Sequence, residues 1–131
     1  MAERSRDWFR QAQADLRHAR HALAGNHHDW ACFAAQQAAE KAIKAVHAVR
    51  GQEAWGHSVT ELLDALRPDE RGIDDAMLDR GRALDKLYVP TRYPNGLPAG
   101  APTDYYTRAE AERAIADAEA VLAWCEGVLP R

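Results

Sequence analysis

The chain has 131 residues, of which 47% are hydrophobic and 28% are charged, an ordinary balance for one globular domain spanning residues 1–131. Its net charge of −3 argues against a protein that coats nucleic acid non-specifically, although a local basic face remains compatible with that charge. No apolar run approaches the roughly 20 residues of a membrane span, and the start MAERSRDWF is too polar for a secretory signal, so a cytoplasmic protein is expected.

The first predicted helix runs from Glu3 to Ala24 and is ended by Gly25-Asn26. Apolar residues recur along it at steps of three and four and define one core-facing stripe: Trp8, Ala12, Leu16, Ala19 and Leu23. A basic stripe lies opposite much of the apolar one: Arg6, Arg10, Gln13, Arg17 and Arg20. A sugar-phosphate backbone can lie along such a stripe, but arginine-rich outer faces with interspersed acidic residues are common on soluble helices.

A second helix is predicted to begin near Asp29, a good N-cap residue, and to end at Arg50-Gly51. Its alanines fall on nearly every face, which predicts a central helix that can also take part in a dimer contact. His27 and His28 precede Asp29 and suggest metal ligands, but adjacent side chains do not easily converge on one ion. The sequence therefore predicts a capped turn here and no metal site.

The third predicted helix starts at a capping box, in which Ser58 and Glu61 each satisfy a free backbone N–H. It continues through Leu66 and is ended by Pro68. The segment from Ile73 to Leu87 has a looser helical pattern that is interrupted by a glycine.

The last predicted helix opens at a second capping box, formed by Thr107 and Glu110. Its core stripe comprises Ala111, Ala114, Ile115, Ala118, Val121, Leu122 and Cys125. Many alanines and few β-branched residues predict an all-α fold, and the short connections favour an antiparallel up-and-down bundle of four or five helices. Cys32 and Cys125 each fall within a helical pattern and are expected to be buried, reduced thiols.

One connection, from Tyr88 to Tyr106, is far longer than the others. It contains four prolines and two glycines, so it is predicted to be neither helix nor strand. Its tyrosines, its arginine and the restricted backbone of its prolines favour an ordered loop that packs on the bundle before the last helix.

Three stretches, WACFAAQQAAEKAIKAV, GHSVTELL and LDKLYVPTRYPNG, occur in this order before the final helix, and together they resemble the HEPN family of helical-bundle domains. The resemblance implies a bundle that usually forms a homodimer. It also implies a nucleotide- or RNA-directed function, often beside a minimal nucleotidyltransferase (MNT) partner in a toxin–antitoxin-like pair. The sequence has no P-loop and no dinucleotide fingerprint, so no cofactor is predicted.

Many HEPN proteins are ribonucleases that use an Arg-x(4–6)-His motif on a late helix. This chain has no histidine after His57, so its late helix lacks that pair. Arg50 and His57 have the required spacing, but in a different element. We therefore predict a nucleotide- or RNA-binding member. One alternative is a metal-independent ribonuclease in which Arg50 or Arg92 steadies the phosphate and His57 transfers the proton. Another is a dimeric interaction module without catalysis.

The predicted ligand-binding residues come from the loop and from the second helix. Arg92, between Tyr88 and Tyr93, can pair with a phosphate while a tyrosine stacks on a base, or it can anchor the loop to a helix carboxylate. A polar face of the second helix can offer donors to the same ligand or line a partner: Gln37, Lys41 and Lys44. We expect the loop to fold back so that its guanidinium joins this face in one cationic pocket.

Overall fold

Residues 3–130, which the computed structural model describes, contain six α-helices and no strand. The helices are α1 (Ser5–Ala24), α2 (His28–Val49), α3 (Val59–Leu66), α4 (Asp75–Asp85), α5 (Pro102–Tyr105) and α6 (Arg108–Val128). The predicted all-α bundle is confirmed. Every helix among residues 3–130 is too short or too polar to span a lipid bilayer. Met1, Ala2 and Arg131, which belong to the predicted domain, lie outside the described residues.

Helix α2 is the centre of the bundle and contacts all five other helices. Its small side chains allow neighbouring helices to approach closely on several sides, because an alanine adds little bulk to the helix surface. The predicted central position is therefore confirmed. Seven alanines of α2 are buried: Ala31, Ala34, Ala35, Ala38, Ala39, Ala42 and Ala45.

Two local predictions for α1 and α2 were wrong. Trp8 lies at the surface of the protein and not in the core, because it is 38% exposed. The Lys44 ammonium lies 5.7 Å from its ring centroid. The N-cap residue of α2 is His27, whose side chain forms no hydrogen bond to the backbone of the first turn. Asp29 lies inside the first turn and is buried, because its carboxylate pairs with Arg92 from the long loop.

The start of α3 is capped partly from another helix. Ser58 accepts a hydrogen bond from the backbone N–H of Glu61 at 3.1 Å, so one half of the predicted capping box is present. The other half was wrong, because the Glu61 carboxylate accepts no bond from the Ser58 N–H. The carboxylate of Asp85 on α4 accepts the N–H of Val59 at 2.6 Å and that of Thr60 at 3.1 Å, and both adjacent hydroxyls also donate to it. Asp85 therefore supplies a cap that the local pattern around α3 does not contain.

Gly81, predicted to interrupt its helix, lies within α4 and is buried against α3. A Cβ at this position would lie 3.1 Å from Oγ1 of Thr60 and 3.2 Å from its backbone nitrogen. The glycine therefore permits the two helices to touch backbone to backbone.

Gly72 in the α3–α4 connection is expected to be intolerant of any side chain. Its φ is +94°, and an added Cβ would lie 2.7 Å from Nε1 of Trp124, which donates a hydrogen bond to the Arg71 carbonyl at 2.8 Å. Gly72→Ala should lower the free energy of unfolding by about 2–4 kcal/mol, measured by urea denaturation. Gly127→Ala is the control, because an added Cβ there meets nothing within 4 Å. Equal stability of the two variants would contradict this account.

Helix α6 follows its prediction closely. Both halves of the Thr107–Glu110 capping box are present, and every residue of the predicted core stripe is buried. The long loop differs from its prediction, because Pro102–Tyr105 forms one α-helical turn and Pro94–Gly96 a 3-10 turn. Proline is tolerated at the first position of each turn, where no intrahelical N–H is required.

Candidate functional site

Arg92 fastens the long loop to the beginning of α2. Its Nη2 donates to Oδ2 of Asp29 and to the Thr91 carbonyl, at 2.7 and 2.6 Å. The guanidinium carbon lies 3.5 Å from the ring centroid of Trp30, a cation–π contact. Both partners of the ion pair are shielded, with side-chain exposures of 17% for Arg92 and 9% for Asp29. These contacts match the anchoring alternative for this arginine.

The predicted cationic pocket is not assembled in this structure. Arg92 makes its contacts at residue 29, and residues 29 and 41 of α2 are about 18 Å apart along the helix axis. The predicted donors of α2 have other partners: Lys41 pairs with Asp15 at 2.6 Å, Lys44 pairs with Glu40 at 3.0 Å, and Gln37 donates to Gln36 at 2.7 Å. Each lysine charge is therefore balanced within the protein.

Between Arg92 and the lysines, four rings form a continuous row on the surface of α2, which we call the ring row: Trp30, Phe33, Tyr88 and His57. Consecutive ring centroids are 6.2, 6.1 and 4.6 Å apart, and the last two pairs are stacked. Trp30 is 46% exposed, and neighbouring residues of the loop, including Tyr93, are also exposed. Burial, with Glu40 and Tyr93, raises the pKa of Tyr88 above its usual value.

His57 at the end of the ring row is held by a buried carboxylate. Its Nδ1 lies 3.2 and 3.3 Å from the two oxygens of Glu40, which is only 4% exposed. Gln36, fully buried, donates to Glu40 and also to the backbone carbonyl of His57. This arrangement fixes one ring nitrogen, while 56% of the His57 side chain stays exposed despite the stacking on Tyr88.

The sequence does not reveal the role of Glu40, because its spacing to Lys44, four residues later, indicates only an ordinary helical ion pair. One signal for it was available. Gln36, Glu40 and Ile43 follow helical spacing within the alanine-rich part of α2, so two polar residues share a buried face.

The structure does not bring the predicted catalytic pair together. Arg50, at the C-cap of α2, pairs with Asp69 at 2.7 Å. His57 is hydrogen-bonded to Glu40. Glu40 precedes Arg50 by ten residues of α2, a separation of about 15 Å along the helix axis. Arg50 is thus placed to join α2 to the α3–α4 connection, away from the ring row.

The histidines, cysteines and carboxylates of the described residues were the candidates for metal and thiol chemistry. No group of three or more histidine, cysteine, aspartate or glutamate side chains within residues 3–130 is placed to hold a metal ion. Cys32 and Cys125 are free and buried, as predicted. Burial raises the pKa of Cys32 to about 12, with Glu110 and Asp29 adding to the effect, and burial also raises the pKa of Cys125. Both thiols therefore stay protonated and unreactive.

Comparisons with known proteins agree with this architecture. The family model described as HEPN domain matches residues 5–128. The structure of TT1696 from Thermus thermophilus is similar over 98% of this chain and 100% of its own, with a TM-score of 0.94 and 48% identity. ST0689, described as an archaeal HEPN homologue, is 39% identical over 96% of this chain and 98% of its own, with a TM-score of 0.81.

An HEPN domain protein from Thermotoga maritima, tm0613, is 40% identical over 95% of this chain and 98% of its own, with a TM-score of 0.77. No curated protein matches the chain.

Proposed function

Because the chain belongs to the HEPN domain family, we propose that it is a cytoplasmic, homodimeric module that binds a nucleotide or RNA and acts with an MNT-type nucleotidyltransferase in a toxin–antitoxin-like pair. The ring row is the proposed binding surface. The partner rests on the family resemblance, so a nucleotidyltransferase gene beside this one, and co-purification of the two products, would support the pairing.

The ring row supports binding because it presents aromatic faces beside a guanidinium. Stacking of a base on an aromatic side chain contributes about 1–3 kcal/mol and tolerates any base. Charge contributes less here, because Arg92 already pairs with Asp29 and a phosphate would have to compete with that carboxylate. The 46% exposure of Trp30 is therefore the observation on which this proposal depends.

Trp30→Ala is expected to weaken the binding of ATP or of a 12-nucleotide single-stranded RNA about 5- to 150-fold, the equivalent of one lost stack. Isothermal titration at fixed salt measures the change. Trp55→Ala is the matched control, because Trp55 is 82% exposed and has no ring partner among the described residues. Equal affinities of the two variants would remove the ring row as the binding surface.

The Glu40–His57 contact favours RNA cleavage as a second candidate function. With Nδ1 of His57 bonded to Glu40, its Nε2 can take the proton of a ribose 2′-hydroxyl while the carboxylate stabilises the imidazolium. The 2′-oxygen then bonds to phosphorus, the bond from phosphorus to the 5′-oxygen breaks, and that oxygen takes a proton from water. The hydroxide left by the water takes the proton from His57, which returns the imidazole to its starting state. Lys44, which shares Glu40 with His57, is a nearer cation for the phosphate than Arg50.

If this candidate is correct, His57→Ala should slow cleavage of a 5′-labelled RNA by about 100-fold or more, the usual contribution of an acid–base group. Glu40→Gln should lower the rate less, since Gln can hold the ring without stabilising its charge. His21→Ala, on the exposed surface of α1, is the control. Undiminished cleavage by the His57 variant rules out this candidate and leaves base stacking on the ring row untouched.

A further inference from the structure

Helix α2 reaches the surface of the bundle along one stripe between residues 30 and 47. The accessible residues of this range recur at steps of three and four, and every other residue in it is buried. We call them the α2 stripe: Trp30, Phe33, Gln37, Lys41 and Lys44. A ligand that contacts this part of α2 must therefore lie along the helix, on the α2 stripe.

A second exposed tryptophan, Trp8 of α1, lies at the opposite end of the α2 stripe from Trp30. The Lys44 ammonium, 5.7 Å from the centroid of the Trp8 ring, connects the two helices there. Lys44 follows Trp30 by 14 residues of α2, which corresponds to about 21 Å along the helix axis. Direct contacts join this end to the ring row, because Lys44 pairs with Glu40 and Glu40 binds His57. The surface thus has an accessible indole ring at each end.

The ion pairs of this surface present their cations to solvent more than their carboxylates. Side-chain exposures of cation and carboxylate are 17% and 9% for Arg92–Asp29, 24% and 17% for Lys41–Asp15, and 11% and 5% for Lys44–Glu40. The pair beside Trp8 has the same order, with 72% for Arg4 and 55% for Asp7. Each pair is neutral as a whole, but its positive end lies nearer the solvent, so the surface favours an anion at short range.

We propose that Trp8 is a second stacking residue, and that the α2 stripe between the two indole rings binds a single strand of RNA rather than a lone nucleotide. This inference rests on the proposed function of the ring row. One base would stack on Trp30 and another on Trp8, with the phosphates between them beside the exposed cations. At the rise of about 3.4 Å per nucleotide of a stacked strand, 21 Å corresponds to about six nucleotides, and an extended strand needs fewer. A mononucleotide reaches only one of the two rings.

The aromatic ends of this surface favour a single strand over a duplex. Rings recognise bases by their flat faces, and in a duplex those faces are already stacked on neighbouring bases. A single strand leaves its bases free to stack on protein rings while its backbone follows a positively charged path. The two tryptophans and the exposed cations between them match these two requirements.

The test compares a fluorescein-labelled 12-nucleotide oligo(U), titrated with the full chain by anisotropy, with ATP in isothermal titration at the same salt. Trp8→Leu is expected to weaken binding of the RNA at least about 5-fold, the equivalent of one lost stack, and to leave the affinity for ATP unchanged. Leucine keeps an apolar side chain at this position, and Trp8→Phe, which keeps a ring, should restore most of the RNA affinity. Trp55→Leu is the matched control and should bind RNA like wild type, because Trp55 is 82% exposed and contacts no ring or cation of the described residues.

This inference and the proposed function fail in different ways. If Trp8→Leu binds RNA like wild type while Trp30→Ala still weakens both ligands, the strand path is wrong and the ring row remains a nucleotide site. An equal loss of ATP and RNA affinity in Trp8→Leu also overturns the strand, because both ligands would then occupy one small site. A wild-type dimer that Trp8→Leu dissociates in sedimentation would assign this surface to a second copy. If Trp30→Ala changes the affinity for neither ligand, the proposed function itself is rejected.

Discussion

Arg92→Ala is expected to lower the free energy of unfolding by about 3 kcal/mol, because it leaves the carboxylate of Asp29 buried without its partner. The value lies at the lower end of the range for a broken buried pair, since Asp29 is in the first turn of α2, where the helix dipole stabilises a negative charge. Loss of the guanidinium from the face of Trp30 adds to the effect. Urea denaturation of the purified chain measures the change.

Two variants isolate the ion pair from the ring contact. Arg92→Ala combined with Asp29→Asn should be less destabilised than Arg92→Ala alone, because the second change removes the stranded charge. Arg92→Lys keeps a cation but loses the planar stack on Trp30, and it should fall between wild type and alanine. If Arg92→Ala left stability unchanged and weakened only nucleotide binding, the side chain would be a free ligand-binding group instead of an anchor.

Asp85→Ala is expected to be comparably destabilising, by about 3 kcal/mol, with a decrease in Tm of roughly 10 °C. The substitution removes the acceptor for two backbone N–H groups at the start of α3 and for the hydroxyls of Ser58 and Thr60. Loss of an N-cap alone lowers the free energy of unfolding by about 1 kcal/mol. The expected loss is larger here, because hydrogen bonds to a charged acceptor are stronger than those to a neutral one. Thermal unfolding followed by circular dichroism at 222 nm measures the effect.

The matched control for Asp85 is Asp79→Ala on the same helix. Asp79 is exposed and pairs only with Arg82 across three residues, so its loss should change stability by less than about 1 kcal/mol. Asp85→Asn should retain part of the stability, because asparagine is also a good cap. Similar melting temperatures for Asp79→Ala and Asp85→Ala would show that the cap from α4 contributes little.

Features governed by neighbouring residues were predictable from the sequence. The start of α6 and its core stripe follow from a capping box and helical spacing within one segment, and both agree with the structure. The central position of α2 likewise follows from its own alanines. In each case the pattern and its structural consequence lie within the same helix.

Features governed by distant partners were not predictable in this way. Asp29 has the side chain of an N-cap, but a guanidinium 63 residues later in the chain binds it inside the helix. Glu40 has the spacing of a surface pair with Lys44, yet the turn that carries His57 folds over it. Asp85 caps a helix other than its own. All three depend on tertiary packing that single-sequence patterns do not encode.

The loop between α4 and α6 is fixed at two separate points, the Arg92–Asp29 pair and the buried Pro102 at the start of α5. Residues 93–101 between these points are mostly exposed. Because the contacts at both ends of this segment lie outside it, the segment can be lengthened at small cost, about 0.6 kcal/mol for each doubling of loop length. Evolution can therefore vary the length and chemistry of this exposed segment while the helical bundle stays the same.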